Sequence, residues 1–122
     1  MIKNFKKPNV TIFGLGYVGL PLFLEMSKKF RTIGFDKNKK KILELKKSID
    51  STGELSKLQI KKLKKLNITY KINDIKKTDV FIVAVPTPIN ISKKPNLEII
   101  KLATTNIAKI LKKNNIVIYE ST

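Results

Sequence analysis

The 122-residue sequence predicts an α/β fold, a doubly wound parallel sheet formed as one domain over residues 1–122. Three observations predict it. Short apolar runs rich in β-formers alternate with stretches whose apolar residues recur at helical intervals. The first such run leads directly into glycines. The run at 79–85, DVFIVAV, is apolar on both faces, as a strand in the middle of a parallel sheet must be.

In chain order, Asn9–Phe13 is the first strand, and from Tyr17 the apolar residues Val18, Leu22 and Met26 continue at helical spacing until Ser27. That is strand, tight turn, helix. Residues 32–35 form a second strand ending on Asp36, after which Asn38 caps a helix carrying Ile42, Leu43 and Leu45 to about Lys47. A turn-rich loop leads to an amphipathic helix started by Ser56 and carrying Leu58, Ile60, Leu63 and Leu66. Residues 68–70 read as a weak edge strand and 75–78 as a brief connector. The central strand at 79–85 stops at Pro86-Thr87-Pro88, because prolines remove ladder donors. A helix at about 97–112 and a last strand, NIVIYE, complete the pattern beside Ser121-Thr122.

In such a sheet, ligands collect at the carboxyl ends of the strands. Four strand ends carry Gly14-Leu15-Gly16, Asp36, Pro86-Thr87-Pro88 and Glu120-Ser121-Thr122, and the topology predicts that they meet on one rim.

Composition excludes several kinds of chemistry. The chain has neither cysteine nor histidine, so it offers no disulfide, no thiolate nucleophile, no imidazole base and no Cys- or His-ligated metal. Its net charge of +17 raises nucleic acid as a partner. Every basic residue but Arg31 is a lysine, however, and the lysines run along the whole chain, which describes a solvated surface better than a base-reading one. No specific nucleic-acid role is expected, although a basic α/β module binding polyanions stays open as the alternative.

The stretch at 10–27, VTIFGLGYVGLPLFLEMS, follows the basic opening MIKNFKK and so invites a signal-peptide or membrane reading. It lacks a small-x-small cleavage site. Spanning a membrane takes about 20 uninterrupted apolar residues, whereas Glu25 and the lysines after it close this run early. A cofactor site accounts for every glycine. Gly14, Gly16 and Gly19 form GxGxxG between a strand and a helix: the first permits the turn, the second admits a pyrophosphate to the backbone, and the third lets helix and strand pack closely. The helix start would direct free N–H groups at the phosphates. Asp36, ending the next strand, is placed to accept hydrogen bonds from the adenosine ribose, and its carboxylate would repel a 2′-phosphate. The expected cofactor is therefore NAD, with the preference over NADP softened by Lys37 and the lysines after it.

IFGLGYVGLPL, GFD, VFIVAVPTPI and IVIYEST occur in this order over nearly the whole chain. Together they resemble the Rossmann-type NAD-binding domain that opens the nucleotide-sugar dehydrogenases, the UDP-glucose/GDP-mannose dehydrogenase family. VPTPI with YEST is more similar to the UDP-N-acetylhexosamine 6-dehydrogenase branch, cytoplasmic enzymes making uronic acids for surface polysaccharides. β-Hydroxyacid dehydrogenases share the glycine turn but usually not these two motifs. The resemblance implies that Tyr17 and Val18 cover the pyrophosphate with their backbone, that Lys41 stands near the adenosine, and that Thr87 contacts the cofactor. It also implies that Thr122 lies near the nicotinamide and helps order a water in the reaction. The structural alternatives are that Thr87 only closes a turn and that Ser121-Thr122 only cap a helix.

The sequence departs from the family pattern at DSTGE, often Asp-Arg-Thr-x-Glu, and at Asn96, where PDL is usual. Family members oxidise a sugar C6 alcohol in two NAD-dependent steps through a cysteine-bound thiohemiacetal. This chain has no cysteine, and the resemblance implies that a sixth strand, a helical domain that mediates dimer formation and a sugar-binding domain would lie after Thr122. Acting alone, the chain is expected not to complete that oxidation.

Overall fold

The computed structural model describes residues 7–120. The elements are β1 (Asn9–Phe13), α1 (Gly19–Ser27), β2 (Arg31–Phe35), α2 (Lys39–Lys46), α3 (Lys57–Leu63), β3 (Asn67–Thr69), a 3-10 turn (Ile72–Ile75), β4 (Val80–Val83), α4 (Glu98–Ala108) and β5 (Ile116–Tyr119). The strands form one sheet in the order β3-β2-β1-β4-β5. Every neighbouring pair is parallel. The chain builds outward from β1 to one edge, returns to the other side of β1, and builds outward again. That reversal is the topological switch point at which such sheets bind ligands.

Alternation along the strands supplies a core on each face of the sheet. Val10 and Ile12 of β1 and Ile82 of β4 pack with Leu20 and Phe23 of α1, Ile42 and Leu45 of α2 and Leu63 of α3. On the other face Phe13, Phe35, Phe81 and Val83 pack with Ala103 and Ile107 of α4 and with Ile75. Phe23, Phe35 and Phe81 are fully buried. Burying a side chain of that size stabilises the fold by about 1.5–3 kcal/mol. Thr11, also buried, meets the Thr78 hydroxyl at 2.6 Å, and Thr78 reaches the Ile75 carbonyl, so the 3-10 connector is tied to β1 without an unpaired polar group.

Local chemistry sets the helix ends. Asn38 caps α2 by accepting the Lys41 N–H. Ser56 and Gln59 form a reciprocal capping box at α3, each side chain accepting the other's backbone N–H. At the end of α2 the Ser48 N–H donates to the Leu45 carbonyl and the Ile49 N–H to the Glu44 carbonyl, both at 2.9 Å. This is the Schellman arrangement, in which the residue at Ser48's position adopts a left-handed backbone usually given to glycine. Ser48 has φ +63, and its buried hydroxyl has no hydrogen-bond partner. Ser48→Gly is expected to stabilise the protein by about 1 kcal/mol, a gain read as a higher denaturant midpoint at unchanged slope.

The structure shifts several boundaries. α1 begins at Gly19 and not Tyr17, because residues 16–18 form a turn ahead of it, with the first helical bond running from the Leu20 N–H to the Gly16 carbonyl. The central strand is Val80–Val83 rather than 79–85, although the Ala84 N–H still donates to the Phe13 carbonyl. β3 is Asn67–Thr69 in place of 68–70, and the last strand is shorter than NIVIYE. The connector expected at 75–78 is a 3-10 turn over Ile72–Ile75. α4 ends at Ala108, short of Lys112. Beyond it Asn114 takes φ +71, and the Asn115 side chain accepts the Lys112 N–H, closing a turn that no helix can continue through. Among the described residues, no helix is long and apolar enough to cross a membrane.

Candidate functional site

The carboxyl ends of β1, β2, β4 and β5 open onto one cavity of about 720 Å³, lined in part by Gly14, Gly16, Asp36, Thr87 and Glu120. The rim expected from the strand order is thus present up to Glu120. Ser121 and Thr122 lie outside the described residues. The volume falls in the range of about 300–1,000 Å³ usual for small-molecule sites.

The three glycines of the turn meet different demands. Gly14 has φ +108, and a Cβ there would come within 3.0 Å of the Val85 backbone nitrogen. Its N–H donates to the Phe35 carbonyl at 2.7 Å, which binds the turn to the end of β2. At Gly19 a Cβ would fall on the Gly14 carbonyl oxygen, so this glycine lets α1 pack onto the turn and stands behind the cavity wall. At Gly16 a Cβ would meet nothing within 4 Å, and its φ lies outside the left-handed region. Among the described residues, neither backbone nor packing calls for glycine at 16. Its missing side chain leaves room for something else.

That room adjoins the start of α1. The amides ahead of a helix's first internal bond have no carbonyl to pair with, and the N-cap residue, Val18, offers no side chain to cap them. No acidic residue stands in the first turn. Tyr17 and Val18 are 69% and 50% exposed and line the cavity. A group of anionic oxygens fits here, because it would accept from these amides and gain from the positive end of the helix dipole.

Across the cavity Asp36 is nearly enclosed, its side chain 13% exposed. Its Oδ2 accepts the Leu15 N–H at 3.0 Å, and its Oδ1 accepts the Asn38 N–H at 2.9 Å. Lys41 Nζ stands 3.4 Å from Oδ2, placing the basic residue expected near the adenosine in an ion pair with the acid expected to hold the ribose. Thr87 lies on the opposite wall, in the turn after β4.

Sequence reasoning missed one whole wall. Ile99, Leu102, Ala103 and Asn106 of α4 line the cavity. Their offsets of three, four and seven residues mark a single helix face, and that spacing could have revealed them. Ser51 and Thr52, in the loop after α2, were missed as well.

Residues 8–122 match the UDP-glucose/GDP-mannose dehydrogenase family, NAD binding domain. The chain belongs to this family. It is 48% identical over 117 residues to the UDP-N-acetyl-D-glucosamine 6-dehydrogenase of Pseudomonas aeruginosa, covering 96% of this chain and 28% of that protein. Among solved structures it resembles the UDP-D-ManNAc dehydrogenase of Pyrococcus horikoshii, with TM-score 0.83 and 26% identity over 93% of this chain and 28% of that one. It also resembles the UDP-N-acetyl-mannosamine dehydrogenase Cap5O of Staphylococcus aureus, with TM-score 0.80 and 33% identity, again over 93% and 28%. The chain therefore spans less than a third of the length of these relatives, and what it contributes is their NAD-binding domain.

In this NAD-binding domain the two sequence departures are accommodated. Asn96 Oδ1 accepts the Glu98 N–H at 3.0 Å, a turn bond that aspartate would make at the same place, one residue ahead of the N-cap Leu97. The DSTGE loop is organised from within by Asp50. Its carboxylate accepts the Thr52 N–H at 2.9 Å, the Thr52 hydroxyl at 2.6 Å and the Leu55 N–H at 3.0 Å. Burial raises the pKa of this acid, but the Thr52 hydroxyl and the amides of Leu55, Thr52 and Glu54 outweigh it and hold the carboxyl below its ordinary range.

A carboxyl whose folded pKa is depressed lends stability in full above its unfolded value, near 3.9, and loses it as pH falls through the lower folded value. The loop at 50–55 is accordingly expected to loosen only in that acid window. Amide exchange at Thr52 and Leu55 followed against pH should show protection lost there and constant at neutral pH.

Proposed function

We propose that this chain is the cofactor-holding part of an enzyme that oxidises the C6 alcohol of a UDP-N-acetylhexosamine to the uronic acid, for surface polysaccharide synthesis. The reading rests on one observation above the others. The space beside Gly16, which no described residue fills within 4 Å of a Cβ there, opens between an uncapped helix start and the Asp36 carboxylate. Diphosphate and ribose are the groups that suit those two neighbours, and a dinucleotide carries them side by side. NAD, when bound, supplies an acceptor for the hydride removed from an alcohol or aldehyde carbon.

This chain's own residues bind and orient. The amides at residues 16–18 hold the diphosphate, Asp36 holds the adenosine ribose, Lys41 adds positive charge beside it, and Thr87 borders the cofactor from the turn after β4. Thr122 is proposed to stand near the nicotinamide and order a water. The covalent step proposed from the family pattern needs a thiolate, and the sequence holds no cysteine. Sugar contacts and pairing into a homodimer are accordingly assigned to parts of a longer protein, and residues 1–122 to the NAD-binding domain alone. A cytoplasmic location accords with a dinucleotide cofactor and a nucleotide-sugar substrate.

Thermal unfolding with added NAD, and separately with duplex DNA, at moderate salt tests the reading. A ligand at one hundred times its Kd stabilises by about 2.7 kcal/mol, so saturating NAD is expected to raise the midpoint by several degrees. The chain with NAD and UDP-N-acetylglucosamine is expected to form no NADH. Stabilisation by DNA with none by NAD would overturn the assignment in favour of a polyanion-binding module.

A further inference from the structure

Asp36 does more than face the cavity. Its two oxygens already accept backbone N–H groups from two different strand ends, Leu15 after β1 and Asn38 after β2. Leu15 stands between Gly14 and Gly16, and its side chain is fully buried among the core residues under α1. The amide of Leu15 is therefore part of the glycine turn itself. A carboxylate acceptor makes a hydrogen bond roughly twice as strong as a neutral one, and an amide that loses such a partner where water has little access is costly to leave unmade. An ionised carboxylate also has about four acceptor positions. With the two amides in place it retains room for ribose hydroxyls once the longer Lys41 contact is given up.

Resting on the cofactor reading above, we propose that Asp36 is a positioning residue for the phosphate cradle as well as the acceptor for the ribose. By holding the Leu15 N–H it fixes the turn that carries Gly16 and the start of α1, so phosphate binding depends on a carboxylate that does not touch the phosphate. The ribose and diphosphate subsites are in this way set by one side chain before the cofactor arrives.

Two measurements on the 122-residue chain test this, using Asp36→Ala and Asp36→Asn. In the ligand-free protein, exchange of the Leu15 amide is expected to quicken at least about tenfold in Asp36→Ala, with the β1 amides unchanged. Inorganic pyrophosphate, which has no ribose, is expected to bind about tenfold more weakly to Asp36→Ala. Asp36→Asn should recover part of that loss, since its amide oxygen can still accept one of the two N–H groups. Removing a negative charge would by itself tighten the binding of an anion, so the direction of the change separates the two effects. Unchanged Leu15 exchange, or pyrophosphate held equally or more tightly by Asp36→Ala, overturns the proposal. If circular dichroism shows that Asp36→Ala does not fold, Asp36→Asn carries both measurements, with smaller changes expected in the same direction. Should the unaltered chain bind neither pyrophosphate nor NAD, the cofactor reading fails, while Leu15 exchange still decides whether Asp36 holds the turn.

Discussion

Gly16→Val is expected to abolish NAD binding while leaving the fold and its stability close to those of the unaltered chain. Among the described residues, a Cβ at this position meets no atom within 4 Å beyond its chain neighbours, and the backbone there needs no left-handed conformation. A β-carbon can therefore be added without displacing the described residues, so the fold is expected to tolerate the change. The two methyl groups of a valine would fill the space through which a diphosphate reaches the amides at the start of α1. Affinity should fall by about a hundredfold or more, equivalent to about 2.7 kcal/mol. Gly16→Ala, with one methyl group, should fall between the two. Calorimetric titration with NAD, alongside a denaturant melt, checks both halves. Wild-type affinity in Gly16→Val would mean that the phosphates lie elsewhere, and a collapsed melt would mean that position 16 is not free.

Gly19→Ala should do the opposite, acting on the fold first. The added carbon would fall on the Gly14 carbonyl oxygen, with the Gly14 carbonyl carbon at 2.8 Å and the Ala84 side chain at 3.3 Å. A flexible side chain could swing aside, but a backbone oxygen cannot. Overpacking commonly costs about 1–3 kcal/mol, and a clash with backbone belongs at or above the upper end. Against a total stability of about 5–15 kcal/mol that is a large fraction, and the melting temperature should drop by about 10 °C. Thermal and urea unfolding measure it directly. A Gly19→Ala protein as stable as the unaltered chain would show that α1 can move away from the glycine turn at little cost. Two glycines three residues apart are thus expected to separate by experiment, Gly16→Val acting on NAD binding and Gly19→Ala on the fold.

Much of this was legible from residue pattern. Asn9–Phe13 was readable because it is short, apolar and followed at once by glycines, and Asp36 because it ends the next strand at the spacing a ribose acceptor requires. The run at 79–85 announced an interior strand by being apolar on both faces, and β4 does lie between β1 and β5. Sequence could not show which partners the polar side chains would choose. Asp36 and Leu15 are 21 residues apart, and only the folded sheet brings carboxylate and amide to 3.0 Å. The end of α4 was misjudged because Lys109 and Lys112 suit a helix as well as a turn, and the decision is made by the Asn115 side chain folding back on the Lys112 N–H. The α4 wall of the cavity was overlooked because the stretch at about 97–112 was read only as a helix, with no face of it assigned. Ala103 serves both purposes, packing in the core while bordering the cavity.

The pairing at the centre of the sheet also imposes an order on assembly. The β1–α1–β2 unit closes over a short span, whereas the Asn9 N–H reaches the Asp79 carboxylate across 70 residues as β4 comes alongside β1. Joining distant segments costs more chain entropy than joining near ones and slows their meeting. Half of the nucleotide cradle is thus expected to form early and wait for the other half to dock. Stopped-flow refolding should place Val83→Ala, in β4, among the changes that slow folding, and NAD recognition should emerge only after that docking event.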